Sequence, residues 1–125
     1  MDIMDEVCTV YRTMAYLSKK WSMLILLELY KRGDDTEGWM RFSEIRISMS
    51  DITPKILSER LKELEGEGLV EKRVTVDSFP IKSEYRLTES ALELMAVVHD
   101  LKMWALKWKI DNVPCMKQDC RNCTL

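Results

Sequence analysis

Apolar positions recur along the chain with two different periods, and the switches between them divide it into elements. Val7, Val10, Tyr11, Met14 and Leu17 return at intervals of three and four and predict a first amphipathic helix. Trp21, Leu24, Ile25, Leu27 and Leu29 predict a second, apolar nearly all round and therefore buried between neighbours. Phe42, Ile45 and Met49 form a short third helix, Ser50-Asp51 begins a turn, and Leu57, Leu61 and Leu64 make the single apolar stripe of a fourth. The period then shortens. Val70, Val74 and Val76 with Thr75, then Ile81, Tyr85 and Leu87, predict two strands joined at a four-residue tip, Asp77-Ser78-Phe79-Pro80. A long last helix is expected from after Thr88 towards Ile110, with Leu94, Val98, Leu101, Ala105 and Trp108 on one stripe. Leu92, Met95, Met103 and Leu106 occupy its neighbouring faces.

The boundaries of the fourth helix are marked chemically. Thr53 can cap its first turn, Pro54 suits a first position whose N–H has no helical partner, and Gly66 and Gly68 supply a stop near residues 65 to 67. Lys55, Ser58, Glu59 and Lys62 fall away from the leucine stripe, so the helix offers cations and a hydroxyl outward, behind an N-terminus whose dipole favours phosphate. The hairpin that follows carries Lys72, Arg73, Lys82 and Arg86. Order and lengths are those of a helix-turn-helix followed by a wing, so the expected fold is mainly α with a small β-hairpin, a winged helix-turn-helix domain. In that fold the Thr53–Glu65 helix would enter a major groove, with the wing on the flanking backbone or minor groove. The candidate DNA-binding residues are Thr53, Pro54, Lys55, Ser58, Glu59, Lys62, Arg73 and Lys82; the plainer reading makes them a solvated helix face and a decorated hairpin. Arg60, beside Leu61, is read first as an anchor of the fold through an ion pair. The last helix has more apolar faces than one domain core needs, which implies a homodimer packed through the terminal helices and a pseudo-palindromic operator in double-stranded DNA.

These segments resemble the HxlR-type winged helix-turn-helix regulators, a branch near the MarR regulators. The resemblance runs over roughly residues 8 to 105: Cys8 before the first helix, Lys20-Trp21 at the second, Arg41-Phe42-Ser43-Glu44-Ile45 at the third, Ile52 to Leu61 at the recognition helix, then Pro80, Glu84-Tyr85 and Leu87-Thr88-Glu89. It implies a dimer joined by terminal helices and acting in transcription, most often by blocking a promoter. It also implies that Cys8 is a candidate redox-sensing thiol, a role requiring a thiolate stabilised by nearby positive charge. The chain departs from the pattern in three places. Residues 33 to 40 form a longer, more acidic stretch than the usual turn, Glu59 replaces a neutral amide, and the tail beyond Asn112 has no counterpart.

Composition narrows the remaining choices. A length of 125 residues suits one core, read as a domain over 1–112 with a cysteine-containing tail over 113–125, and a charged fraction of 32% is ordinary for a soluble protein. No apolar run approaches the roughly 20 residues of a membrane span. The acidic start, Met1 to Glu6, is unlike a signal peptide, so a cytoplasmic location without membrane partners is expected. The net charge of −2 argues weakly against nucleic acid, because the acids cluster at 2–6 and 34–37 while the wing is cationic. In a reducing compartment the four cysteines are free, metal-bound or redox-active. Cys115, Cys120 and Cys123 have a C-x4-C-x2-C spacing compatible with zinc or an iron–sulfur cluster, but a fourth ligand would have to come from elsewhere; free thiols or a disulfide fit equally well. His99, the single histidine, is placed on a helix face or at the dimer interface, and no phosphate-binding glycine loop or nucleophile–base pair supports an enzyme. Two further readings stay open: a winged helix that has become a protein-interaction module, and a metal or redox carrier working through its tail.

Overall fold

A computed structural model describes residues 8–32, 38–77 and 79–121. Val7, the acidic residues 34–37, Ser78 and Cys123, all invoked above, lie outside them. Helix α1 (Thr9–Leu17) and helix α2 (Ser22–Arg32) lead into a two-residue strand β1 (Met40–Arg41), helix α3 (Phe42–Ser48) and helix α4 (Pro54–Gly66). Strands β2 (Val70–Thr75) and β3 (Lys82–Leu87), helix α5 (Glu89–Trp108) and a one-turn helix α6 (Val113–Met116) complete the order. This is the winged helix-turn-helix expected from the sequence, with a third strand that periodicity did not signal.

The core gathers one stripe from each element: Ile25, Leu26 and Leu29 from α2, Ile45 from α3, Leu57, Leu61 and Leu64 from α4, Val70, Tyr85 and Leu87 from the sheet, and Ala91 and Met95 from α5. Helix α2 is not buried on every side, as its apolar circumference had suggested. Leu24 is 52% exposed, because the core takes only one face of the helix while Leu24 lines a shallow cleft with Trp21 and Leu27. Trp21 itself precedes α2 in the left-handed region, at φ 80, where an L side chain costs roughly 1–2 kcal/mol.

Helix α4 begins and ends by local hydrogen bonding. Thr53 Oγ1 accepts from the Ile56 N–H at 3.2 Å. At the other end Leu69 N–H donates to Leu64 O and Gly68 N–H to Glu65 O, both at 3.0 Å, with Gly68 at φ 76. That double bond around a left-handed glycine is a Schellman stop, and the two leucines it brings together, Leu64 and Leu69, are both buried. Of the two glycines, Gly68 is the one whose backbone needs the freedom; Gly66 closes the helix itself.

The sheet has strand order β1-β3-β2, antiparallel throughout, with Met40 opposite Tyr85 and Val70 through Thr75 opposite Leu87 back to Lys82. Pairing stops at Thr75 and Lys82, so six residues, 76–81, cross between the strands rather than the four anticipated, Val76 and Ile81 being left off the ladder. Helix α5 starts where Thr88 accepts from the Ala91 N–H, and only its first half meets the core: Ala91 and Met95 are buried, Leu94 and Val98 partly so. Leu101, Met103, Trp104 and Trp108 stand exposed, as do Val10, Tyr11 and Met14 on α1. The tail returns to the body through Lys102 Nζ, which donates to Gln118 O at 2.5 Å, and through the Arg121 guanidinium, 5.1 Å from the Tyr30 ring centroid.

Candidate nucleic-acid interface

With three leucines turned inward, the opposite face of α4 carries Lys55, Ser58, Glu59 and Lys62, all exposed. Among the described residues none of these four side chains has a hydrogen-bond or ion-pair partner within the chain. Arg60, one position from that face, is fully engaged. Its Nε donates to Lys20 O at 3.0 Å and its Nη1 to Glu63 Oε1 at 3.3 Å, while Glu63 Oε2 takes Lys19 Nζ at 3.1 Å. The sequence reading of Arg60 as an anchor is thereby given its partners: it ties α4 to the connection between α1 and α2.

The wing sits beside this helix across a groove of about 690 Å³, whose walls include Arg41 and Phe42 at the start of α3, Ser58 of α4, and Lys72 and Lys82 of the wing. Its basal arginines are held in place by cross-strand neighbours. Arg73 lies opposite Glu84 and Arg86 opposite Glu71, and each facing pair is an ion pair, with Arg73 Nε 3.0 Å from Glu84 Oε1. Both guanidinium groups also stack on one ring, that of Trp39, at 4.3 and 4.5 Å from its centroid. Trp39 is 9% exposed. On the other face of the sheet Lys72 Nζ lies 5.7 Å from the Tyr85 ring centroid. Such cation–π contacts contribute about 0.5–1 kcal/mol each where solvent reaches them. Arg73 keeps its terminal N–H groups and half its side-chain surface for an outside partner.

The sites proposed from sequence fall on two neighbouring elements: Thr53 and Pro54 start the helix, Lys55, Ser58, Glu59 and Lys62 form its outer face, and Arg73 and Lys82 stand on the wing, where Lys82 shares the groove with Ser58 while Arg73 lies on the Trp39 face of the sheet and does not line it. Sequence reasoning omitted two cations on the same groove, Arg41 and Lys72. Arg41 opens the Arg41-to-Ile45 motif, and Lys72 is one of the four hairpin cations.

The cysteines are spread over the molecule. Cys8 caps α1, its Sγ accepting from the Tyr11 N–H at 3.4 Å. Cys115 and Cys120 are free and half-buried in the tail, and Cys115 N–H donates to Asn112 Oδ1. With Cys123 outside the described residues, those residues contain no group of three or more His, Cys, Asp or Glu side chains that could hold a metal ion. His99 is exposed on α5. Among the described residues no helix is long and apolar enough to cross a membrane.

Comparison with known proteins agrees with this architecture. The profile of the HxlR-like helix-turn-helix family matches residues 16–112. The chain belongs to this family. The HTH-type transcriptional regulator YvaP of Bacillus subtilis is 36% identical over 105 residues, which are 83% of this chain and 91% of that protein. Among solved structures, the reduced form of the transcriptional regulator YodB from Bacillus subtilis superposes with a TM-score of 0.70 at 33% identity, covering 84% of this chain and 96% of that one. The redox regulator HypR in its oxidised form gives a TM-score of 0.65 at 30% identity, over 82% of this chain and 99% of that one. The HxlR-like relatives are transcriptional regulators, not enzymes, and this chain is a regulator of the helix-turn-helix type. The family match ends at residue 112, leaving the cysteine tail outside it.

Proposed function

We propose that this regulator is a cytoplasmic homodimer that binds a pseudo-palindromic operator in duplex DNA, represses by covering a promoter, and is switched by oxidation of Cys8. The observation that carries the DNA reading is the unpartnered polar face of α4, whose Ser58 lines one groove with the wing cations Lys72 and Lys82, Arg73 standing on the other face of the sheet. Cations with no internal partner are available to phosphates, and a preformed helix capped at both ends would present Ser58 and Glu59 to base edges. Dimerisation rests on the exposed apolar side chains of α1 and of the second half of α5, which the core of one domain leaves uncovered.

The redox reading rests on Cys8 as the cap of α1, half-buried with its Sγ against the Tyr11 N–H, and on the redox regulator among the structural neighbours. Modifying Sγ removes the cap contact to Tyr11. The change is passed on by α1, whose far end continues into Lys19 and Lys20, the two residues bonded to Glu63 and Arg60 of the recognition helix. Fluorescence-anisotropy titration of the reduced protein with its own upstream region, beside a scrambled duplex of equal length, tests the whole reading. Preference for the native duplex, lost on thiol oxidation and restored by reductant, is expected. Equal or negligible binding to both would overturn it and favour a winged helix devoted to protein contacts.

A further inference from the structure

The six residues that cross between β2 and β3 are Val76, Asp77, Ser78, Phe79, Pro80 and Ile81, and they contain no cation. The arginines of the wing stop short of its tip, on Glu84, Glu71 and Trp39. The tip therefore has nothing with which to form an ion pair to phosphate. Apart from the exposed Asp77 it presents apolar side chains: Phe79 is fully exposed, Val76 is 70% and Ile81 61% exposed, and Val74 below them is half-exposed.

Resting on the DNA-binding reading above, we infer that Phe79 and Pro80 form an apolar wedge that enters the minor groove at the outer edge of each half-site and partly unstacks one base step. Phe79, Pro80 and Ile81 border the same groove as Ser58 of the recognition helix, so a protein partner laid over the tip would also cover the face of α4, whereas a duplex followed outward from α4 meets the tip next. Lys82, opposite Thr75 at the tip end of the ladder, adjoins the apolar residues and is suited to a phosphate bordering a minor groove, while an apolar ring suits the stacked bases within it. The base of the wing is also stiff, with three-strand pairing and two arginines stacked on one tryptophan, so the tip is presented without ordering of the strands beneath it.

An inserted side chain reads deformability rather than hydrogen-bonding groups. Pyrimidine–purine steps unstack most readily, so the operator flank should prefer such a step at a position that no polar side chain contacts. Wedges of this kind kink duplexes by about 20–90°.

The test uses the reduced full chain and operator duplexes carrying aminopurine at successive flank positions, with end-to-end energy transfer to read bending. Wild-type protein and Phe79→Leu should raise aminopurine fluorescence at one flank position per half-site and shorten the end-to-end distance. Phe79→Ser should bind the same operator with both signals lost; because the side chain is exposed, its thermal unfolding should match wild type. Specific binding with straight DNA and no fluorescence rise, or full signals with Phe79→Ser, would overturn the wedge and leave the DNA-binding reading intact. Absence of specific binding by the wild-type protein would overturn both.

Discussion

Replacing Lys55 by alanine separates an electrostatic interface from a merely solvated helix face, because the two predict different responses to salt. If Lys55, Lys62, Lys72, Arg73 and Lys82 each meet one phosphate in both subunits, ten contacts give a slope of log affinity against log salt of about −9, at roughly 0.9 per contact. Lys55→Ala removes two of the ten by symmetry, so the slope should fall to about −7. If counterion release is the lysine's whole contribution, the loss in affinity is about 60-fold near 0.1 M salt, rising to about 200-fold near 0.05 M and shrinking to about 20-fold near 0.2 M. Stability should change little. Lys55 is exposed, without a partner among the described residues, and such substitutions usually stay within about 0.5 kcal/mol. Anisotropy titrations at five or so salt concentrations, with a denaturant melt of each protein, read both quantities. A 60-fold loss at unchanged slope would refute the phosphate assignment, and no loss at any salt would remove Lys55 from the interface.

Other outcomes follow from the same geometry. Glu59→Gln removes an anion from the face of α4, so affinity for a scrambled duplex should rise; if Glu59 also accepts from a cytosine amino group, affinity for the operator rises less and the specificity ratio falls, and an unchanged ratio would deny it a base contact. Trp39→Ala deletes a side chain that is 9% exposed and supports both wing arginines, with an expected cost of about 3–5 kcal/mol in urea denaturation. A cost below about 1 kcal/mol would show that the stack is incidental. Cys8→Ser should bind the operator as the reduced protein does while losing its response to a thiol oxidant. Arg60→Met, which cuts the bond to Lys20 O, should weaken the oxidant response while Cys8 is still modified, as judged by mass; a full response would place the transmission elsewhere.

The helices were legible because their signals are local. The cap at Thr53, the proline at Pro54 and the leucines of α4 lie within one another's reach along the chain, and the observed helix, Pro54–Gly66, departs from expectation by a residue or so. Burial was less legible. Leu24 and Leu26 are both leucines on α2, yet one is exposed and the other fully buried, a difference set by which face the core takes and not by hydrophobicity. Strand β1, two residues long, is too short to have a period, and it exists because Met40 finds Tyr85.

The candidate interface divides along the same line. Its outward cations are readable from helical spacing, since a stripe of leucines fixes the opposite face. Their availability is not, because whether a cation is committed depends on residues remote in sequence. Arg60 and Lys62 are two positions apart and equally charged, but Arg60 is bound to a carbonyl forty residues away, whereas Lys62 has no partner among the described residues. Arg73 and Lys82 likewise read as equivalent hairpin cations, until Trp39 and Glu84 make one of them a fixed, pre-oriented group and leave the other to line the groove. A fixed arginine gives up less side-chain freedom on meeting a phosphate than a mobile lysine, so the wing's contribution should depend on the stack beneath it. Removing Trp39 should therefore weaken DNA binding through Arg73 even where the domain stays folded.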